Sequence, residues 1–435
     1  MNGTHVGRWE LHPHQGDVLK YAASWVAAPE GRPLSLSLPF TPDNAPHKGP
    51  AVRAYFENLL PDSRDIRERI ARRFQAGTTE AFDLLEQIGR DCIGALQVLP
   101  ADMAPPATGD IDAEPLTEAQ IAQTLRETVA PPPLGGMPED DGHFRISIAG
   151  AQEKTAFLQI DGHWYRPRGA TPTSHIFKLP MGLVGNMKLD LSESVENEWL
   201  CALVLRAYGL PVAHCRPLVF EDQKVLAVER FDRMWWDRGG KRLIRLPQED
   251  MCQATATPPH LKYEADGGPG IDRIMGLLDG SAHREADRLT LFRSQVLFWM
   301  LCAPDGHAKN FSLALRPGGA YALTPLYDVM SAYPLLGEGP GKLSPHRIRL
   351  AMAVRSKNAH WKMQDIQRRH WLGLGQRYGI VTSDGADAAS IVDNLVARTP
   401  EVTRTVRAML PEGFPQPLAE RILQGLRHAA DKLAG

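Results

Sequence analysis

The chain has 435 residues, 43% of them hydrophobic, which is enough for the packed cores of two or three domains. Its formal net charge of −2 at pH 7 excludes a chain-wide electrostatic grip on nucleic acid, although a local basic patch stays compatible with it. The first residues carry no apolar signal segment, and the longest apolar run, 296–303, is far shorter than the roughly 20 residues of a membrane span, so we expect a cytoplasmic protein without a membrane segment.

Residues 1–100 are predicted to form a compact α/β domain. Apolar and polar residues alternate over 33–39, which is typical of a strand with one buried face, and 56–60 and 66–74 suit helices. A further helix is predicted to end at Gly89, because glycine tolerates the positive φ that is common after a helix C-terminus.

The helix predicted over 66–74 belongs to an arginine-rich stretch. Its arginines are Arg64, Arg67, Arg69, Arg72 and Arg73. They either bind an anionic partner or form a solvated face that pairs with neighbouring Asp65 and Glu68. The solvated face is the favoured interpretation.

Residues 101–143 have the composition of a linker. Proline, glycine and acidic residues dominate both of its ends, which marks a domain boundary. Between them, Thr117 and Gln120 have the spacing of a capping box for a short helix that reaches about Thr128.

The next segment, 144–232, is predicted to be mostly strands. Two strands, 146–148 and 156–160, are indicated on either side of a small-residue turn at 149–151, where backbone N–H groups could approach phosphate oxygens. A plain tight turn is an equally good interpretation of that stretch alone. The Lys154–Thr155 pair does not complete a P-loop, because Glu153 stands where that pattern requires glycine.

A lysine strand and a helix follow. Lys178 lies among apolar residues in the strand predicted over 175–180, where it either extends to solvent or neutralises phosphates. The helix runs from Ser192 or Ser194 to Tyr208. Its Glu196 or Glu198 could pair with Lys178, although the helix dipole alone also favours acids at this place.

A predicted hairpin, 216–221 and 225–231, brings the chain to 229–231, the place of a hinge that would contact adenine. From Arg233 onward the sequence turns helical. A helix over 287–303 is apolar almost all round and is therefore expected to be buried, and Pro304 is expected to end it.

The sequence DGHAKN, residues 305–310, comes directly after that helix. Its D-x-x-x-x-N spacing is that of a protein-kinase catalytic loop, although in isolation it also suits an ordinary turn. A second hairpin, 311–315 and 321–327, is predicted to bring Asp328 close to Asn310, as joint ligation of Mg²⁺ requires.

The order of these parts predicts an α+β chain with a protein-kinase-like, two-lobed fold, an extra N-terminal α/β domain and a mostly helical C-lobe. The predicted boundaries are 1–100, 101–143, 144–232 and 233–435. No DFG sequence follows the loop, and His307 departs from the residue types usual in it. The five scattered cysteines form no CxxC pair and no HExxH occurs, so neither a disulfide framework nor a zinc hydrolase is indicated.

Nine sequence motifs resemble those of the HipA toxins, the serine/threonine kinases of bacterial toxin–antitoxin modules. The resemblance covers nearly the whole chain and occurs in the expected order. The motifs are RPLSLSLP (32–39), ENLLPD (57–62), IGRD (88–91), SIAGAQEKT (147–155), HIFKLP (175–180), AVERFD (227–232), LPQEDMCQ (246–253), DGHAKN (305–310) and PLYD (325–328).

The resemblance implies roles for individual residues. Asp305 would be the catalytic base, Asn310 and Asp328 the Mg²⁺ ligands, and Lys178 a contact to phosphate. The residues that it implies for ATP binding are Ala149, Gly150, Ala151, Gln152, Glu153, Lys154, Lys178, Glu229, Arg230, Phe231, His307, Ala308, Lys309, Asn310, Tyr327 and Asp328.

The resemblance also implies a regulation and partners. Ser147 would be autophosphorylated, and about two added negative charges beside the phosphate loop would repel ATP and switch the kinase off. The substrate would be an aminoacyl-tRNA synthetase, usually the glutamyl enzyme, whose inhibition stalls translation and produces persistence. The partner would be a HipB-type helix-turn-helix antitoxin, through which the protein reaches operator DNA and acts as a co-repressor.

Two other functions compete with a kinase toxin. A small-molecule phosphotransferase could use the same lobes, and the identity of the phosphate acceptor separates it from a protein kinase. An inactive adaptor or co-repressor is disfavoured, because Lys178, Asp305, Asn310 and Asp328 are all intact.

Overall fold

The computed structural model describes residues 1–103, 111–129, 152–236 and 242–434. These divide into two units. The first unit contains Met1–Leu179, Leu218–His260 and Ser312–Tyr321, and the second contains Pro180–Pro217, Leu261–Phe311 and Ala322–Gly435.

The N-terminal part of the first unit combines a small sheet with helices. The strands are, in sheet order, Gly7–His12, Gly16–Tyr21 and His47–Lys48. The helices are Ala23–Val26, Pro50–Glu57, Arg64–Phe74 and Ala81–Ile88. Their apolar faces enclose one core, in which Trp9 stacks on Phe56 with ring centroids 3.7 Å apart. The helix predicted over 56–60 lies earlier in the chain, as Pro50–Glu57, and so ends about where it was expected to begin.

The strand predicted over 33–39 is wrong, because this stretch is a loop. Its backbone N–H and side-chain hydroxyl groups form hydrogen bonds with side chains and carbonyl groups elsewhere in the unit, so they do not need the partners that a neighbouring strand would supply. The Ser37 hydroxyl donates to the Gln253 carbonyl at 2.7 Å, and the Leu36 N–H donates to Glu249 at 2.9 Å. The alternation of apolar and polar residues thus reflects the two sides of a loop that lies on the residues around 249–253.

Gly89 ends its helix for a reason that differs from the predicted one. Its φ is −75°, so positive φ is not required. A Cβ at this position would lie 2.4 Å from the Leu85 carbonyl oxygen and 2.7 Å from Cβ of Val98. Glycine is needed here because the chain passes too close for a side chain.

A six-stranded sheet forms the rest of the first unit's framework. Its strands are, in sheet order, Cys215–Phe220, Gln223–Glu229, His175–Lys178, Lys154–Ile160, His163–Pro167 and Ala113–Pro115. The predicted strands over 156–160 and 175–180 and the first hairpin are confirmed, whereas the two strands at the far edge were not predicted. The strand expected over 146–148 lies outside the described residues.

The short helix of the predicted linker is confirmed as Glu118–Val129. Its capping box forms as expected: the Thr117 N–H donates to Gln120 Oε1 at 2.8 Å, and the Gln120 N–H donates to the Thr117 hydroxyl at 3.3 Å. Buried residues of this helix, including Ile121 and Leu125, pack against the sheet's aromatic core around Phe177. The segment is therefore part of the folded first unit.

Short elements complete the first unit. Arg233–Trp235 pairs with Leu243–Arg245, Gln248–Asp250 pairs with Ser312–Leu315, and Met251–Ala254 is a single helical turn. The next strand, Tyr321–Leu323, carries the chain into the second unit.

The second unit is mainly helical. Its helices are Ser194–Ala207, Ile271–Leu278, Arg284–Met300, Arg368–Tyr378, Ala388–Met409 and Gln416–Ala434. Its strand pairs are Gly182–Val184 with Leu189–Leu191 and Arg349–Arg355 with Ala359–Lys362. Within the four described ranges, no helix is both long and apolar enough to cross a membrane. The five cysteines all lie within the described residues, and none of them forms a disulfide.

Arg284–Met300 is the buried helix that the apolar run predicted, and residues 296–300 are all buried. It ends four residues before Pro304. Leu301 is the last residue with helical φ and ψ, and Cys302 has a φ of 49°, in the left-handed region. The chain therefore leaves the helix through a left-handed residue, and Pro304 only prevents its continuation.

Candidate active site

The loop 305–310 lies in the second unit and exposes one acidic side chain. Asp305 keeps 56% of its side chain accessible, whereas His307, Ala308, Lys309 and Asn310 are buried. Gly306, within the loop, lies directly against the buried helix: a Cβ at this position would be 2.6 Å from a ring carbon of buried Phe298. The loop therefore presents a carboxylate from a backbone that is packed on the buried helix.

Asn310 joins both ends of this arrangement. Its Nδ2 donates to the Asp305 carbonyl oxygen at 2.8 Å and lies 3.5 Å from the Asp328 carbonyl oxygen. The Tyr327 hydroxyl donates to the Lys309 carbonyl at 2.9 Å. The structure thus brings Asn310 and Asp328 together, as the predicted hairpin implied.

The donor set at this place fits Mg²⁺. Because Nδ2 of Asn310 is fixed by carbonyls, its Oδ1 is the atom left to ligate, and Asp328 adds carboxylate oxygens. Mg²⁺ prefers such hard oxygen donors and takes its remaining ligands from substrate phosphates and water. Within the described part of the chain, no cluster of three or more His, Cys, Asp and Glu residues could hold a metal.

Tyr263 is a neighbour of the loop that the sequence did not indicate. Its hydroxyl donates to Oδ1 of Asp305 at 2.5 Å, and its ring meets His307 edge-to-face with centroids 5.1 Å apart. The Ala308 N–H points to the Lys262 carbonyl at 3.4 Å. The contact spans 42 residues of sequence, and no periodicity or motif marks this tyrosine.

The predicted phosphate contacts lie in the first unit. Lys154 and Lys178 are directly opposite each other on adjacent antiparallel strands. Opposite residues share a face of the sheet, and two like charges there are unfavourable unless a counter-charge is close. Beside them, Gln152 Nε2 donates to the Leu179 carbonyl at 2.5 Å, and the Leu179 N–H donates to the Glu153 carbonyl at 3.1 Å. The structure therefore brings 152–154 alongside Lys178.

Two of the five arginines at 64–73 form ion pairs with residues outside their own helix. Arg67 pairs with Glu57 at 2.7 Å, and Arg69 pairs with Glu153, beside Lys154. Arg64 pairs with Glu68 at 2.9 Å, as the solvated-face interpretation predicted. The stretch is thus partly a solvated face and partly a support for the residue before Lys154.

Arg230 is held inside the protein. Its guanidinium contacts Asp91 and Asp232 in a buried cluster, its N–H donates to the Ser174 carbonyl, and its carbonyl accepts from the Arg233 N–H. The adenine contact predicted for 229–231 stays a prediction, while the side chain and both backbone groups of Arg230 are bonded within the protein. Of the residues on either side of it, Glu229 is exposed at the end of its strand and Phe231 is half-buried.

The carboxylate at the centre of that cluster is kept ionised. Burial alone would raise the pKa of Asp91, but Arg233, Arg245 and Arg230 hold the pKa well below its usual range. Bonds of 2.8 Å from Arg233 Nη2 and Arg245 Nε place these guanidiniums on one carboxylate oxygen. This cluster is structural and belongs wholly to the first unit.

Some predicted site residues are not placed. Ser147, Ala149, Gly150 and Ala151 lie outside the described residues. Lys178 belongs to the first unit, while both candidate glutamate partners belong to the second, so that pairing stays a prediction.

Known proteins resemble this chain along most of its length. Residues 1–99 match the HipA N-terminal domain, and residues 146–403 match the HipA-like C-terminal domain. "Putative kinase Y4mE" of Sinorhizobium fredii (strain NBRC 101917 / NGR234) is 34% identical over 359 residues, which cover 80% of this chain and 81% of that protein. The serine/threonine-protein kinase toxin HipA of Shewanella oneidensis is 25% identical over 323 residues, covering 72% and 69%.

A solved structure shows the fold. It is the HipA, HipB and operator DNA complex of Shewanella oneidensis MR-1, which matches with a TM-score of 0.77 at 20% identity and covers 99% of this chain and 95% of that chain. At this identity the likeness concerns the fold alone, which is the kinase-like fold of HipA. Because a domain of this family accounts for more than half of the sequence and a relative above 30% identity spans four fifths of it, this chain belongs to the HipA family.

Proposed function

We propose that this protein is an ATP- and Mg²⁺-dependent serine/threonine protein kinase in which Asp305 is the general base. The observation that carries the proposal is the contrast within 305–310. One carboxylate is 56% exposed on a loop whose other side chains, from His307 to Asn310, are buried and whose ends are tied together by Asn310. An exposed acid on a rigid backbone is what a base needs in order to meet a substrate from solution.

Each candidate residue has a distinct task in this proposal. Asp305 accepts the proton of the acceptor hydroxyl. At the same time the hydroxyl oxygen bonds to the γ-phosphorus, and the bond between that phosphorus and the departing ADP breaks. Asn310 and Asp328 would hold Mg²⁺, which shields the phosphate charge when it is bound. Lys178, directly opposite Lys154 on the adjacent strand, would contact phosphates as a positive charge.

We further propose that the kinase is the toxin of a toxin–antitoxin module. Support comes from the family resemblance and from a relative that is named a kinase toxin. The proposed substrate is an aminoacyl-tRNA synthetase, with the glutamyl enzyme first, and the consequence is growth arrest and persistence. A HipB-type antitoxin is the proposed partner and the route to operator DNA, and phosphorylation of Ser147 is the proposed self-inhibition.

The test compares cells that express the wild type with cells that express Asp305→Asn. The phosphoproteome of the wild type should contain a phosphorylated synthetase and phosphate on Ser147, and both should be missing with Asp305→Asn, because a general base contributes roughly 10²–10⁴-fold. Asp279→Asn is the matched control, since Asp279 is another surface carboxylate, 52% exposed and paired with Arg284 and Arg288. Chelation of Mg²⁺ should abolish activity in the purified protein.

Other outcomes identify other functions. Transfer of labelled γ-phosphate to a metabolite and not to protein would establish a small-molecule phosphotransferase. Equal phosphoproteomes for the wild type and Asp305→Asn, together with operator repression that persists, would establish an inactive co-repressor.

A further inference from the structure

We propose that Tyr263 is a positioning residue for phosphoryl transfer, because it fixes the orientation of the Asp305 carboxylate. The inference rests on the proposed role of Asp305 as base. The Tyr263 hydroxyl donates to Oδ1 of Asp305 at 2.5 Å, a short hydrogen bond to a carboxyl oxygen. With Oδ1 held, Oδ2 is the oxygen that Asp305 presents to the acceptor hydroxyl.

The exposure of Asp305 explains why such a contact matters. A carboxylate with 56% of its side chain accessible is not oriented by packing, and its terminal torsion is broad and roughly two-fold. A base transfers a proton efficiently only when it is aligned with the reacting hydroxyl. A hydrogen bond from a fixed phenol supplies this alignment without covering the carboxylate.

Tyr263 and Asp305 are both anchored, through their neighbours, to one strand. In Arg349–Arg355, the Ala351 N–H donates to the carbonyl of Pro304, which precedes Asp305. Two residues along the same strand, the Ala353 N–H donates to Oε2 of Glu264, which follows Tyr263. These bonds are 2.9 and 2.5 Å long. The segments that carry Tyr263 and Asp305 are thus attached to neighbouring positions of the same strand.

The segment that carries Tyr263 is closely packed. The N–H groups of Asp266 and Gly268 both donate to the Tyr263 carbonyl, at 3.1 and 3.0 Å. A Cβ on Gly268 would lie 1.9 Å from the Leu261 carbonyl oxygen. Glu264 also accepts from Arg355 Nε at 3.0 Å. A tyrosine on such a segment is suited to hold Asp305 in place, and less suited to move out of the site so that a substrate can enter.

The main alternative has the opposite sign. A phenol that donates to the base could imitate the acceptor hydroxyl and block the site, and its removal would then raise the rate. Tyr263→Phe separates the two ideas, because phenylalanine keeps the ring against His307 and removes only the hydroxyl.

The experiment measures kcat, KM for ATP and thermal stability of the purified full-length protein with a phosphorylatable protein substrate. We expect Tyr263→Phe to lower kcat about 10-fold or more, with KM for ATP and the melting temperature near those of the wild type. In the Asp305→Asn background the same change should lower the residual rate no further, because the tyrosine acts through the aspartate.

Tyr208→Phe is the matched control. The Tyr208 hydroxyl shares a hydrogen bond of 2.6 Å with the Thr399 hydroxyl in the same unit, and neither residue belongs to the loop 305–310 or to the strand Arg349–Arg355. Loss of the Tyr208 hydroxyl should leave kcat within about two-fold, by the usual modest value of one hydrogen bond. Glu264→Gln is a second probe. It keeps Tyr263 but weakens the ion pair between residue 264 and Arg355, and like Tyr263→Phe it should lower kcat.

The outcomes are distinguishable. An unchanged or raised kcat in Tyr263→Phe, or an equal loss in the wild-type and Asp305→Asn backgrounds, overturns the positioning role. If Asp305→Asn itself retains full activity, the proposed base is wrong, and the inference about Tyr263 falls with it. An inactive Asp305→Asn beside a fully active Tyr263→Phe removes only the inference.

Discussion

Asp91→Asn should strongly destabilise the first unit. Asp91 is 3% exposed and accepts bonds from Arg230, Arg233 and Arg245. It also accepts from the Thr173 hydroxyl at 2.7 Å. The substitution keeps the shape but turns one acceptor oxygen into a donor and leaves three buried guanidiniums with Asp232 as their remaining carboxylate in this cluster.

The magnitude follows from this loss of balance. Breaking a buried ion pair by removing one partner typically costs about 3–5 kcal/mol, because the remaining charge stays buried without compensation. Urea unfolding followed by far-UV circular dichroism should show a lower midpoint for the transition of the first unit. Since the pKa of Asp91 is held well below its usual range, its stabilising effect is present above the unfolded pKa of about 3.9 and is lost as the pH falls further.

Asp279→Asn is again the control, because its carboxylate is 52% exposed and pairs with Arg284 at the surface, where such pairs contribute about 0–1 kcal/mol. The reasoning would be refuted by an Asp91→Asn protein whose midpoint shift is no larger than that of Asp279→Asn. Retention of the wild-type acid dependence in Asp91→Asn would also contradict it.

Two other substitutions test separate features. Burial raises the pKa of Glu249 to about 8, so from about pH 5 to 8 the folded state binds more protons than the unfolded chain, whose glutamate has a pKa of about 4.3. The stability that Glu249 contributes is fully present below the unfolded pKa and is lost as the pH rises through 8. Glu249→Gln should therefore remove a slope of at most about 1.4 kcal/mol per pH unit from the pH dependence of the unfolding free energy, measured by urea denaturation. An unchanged slope would argue against a buried neutral acid. Gly306→Ala should lower kcat by about 10²-fold, because its Cβ would displace the loop from Phe298, and Phe298→Leu in the same chain should recover part of the rate; normal kcat in Gly306→Ala would show that the loop tolerates the shift.

Local sequence patterns predicted much of the fold that supports the site. The buried helix before 305–310, the proximity of Asn310 to Asp328 and the capping box at Thr117 all depend on residues close in sequence, where spacing fixes geometry. The loop at 33–39 was mistaken for a strand because its partners are around 249–253, more than 200 residues away. Periodicity cannot distinguish a strand from a loop that is fixed by such distant side chains.

Tertiary contacts that no periodicity marks explain the other differences. Gly89 is required by the approach of Val98, nine residues later in the chain, and Arg230 is held by Asp91 at a separation of 139 residues. Within the candidate site, the motif predicted Asp305, but the tyrosine that contacts it lies 42 residues earlier in a segment with no recognisable pattern. The sequence therefore predicted the proposed base but gave no sign of the tyrosine that contacts it.

Asp91 and Asp305 illustrate how the environments of a structural acid and of a proposed catalytic base differ. Asp91 is enclosed by three arginines, so its charge is neutralised and its orientation fixed, and no hydroxyl from solution can reach it. Asp305 is exposed and receives one phenol hydroxyl on one oxygen, an arrangement that orients the carboxylate while leaving it accessible. The same side chain thus stabilises the first unit in one place and is suited to accept a proton in the other. It follows that the hydroxyl of Tyr263 should matter for rate and little for stability, whereas the partners of Asp91 should matter for stability first.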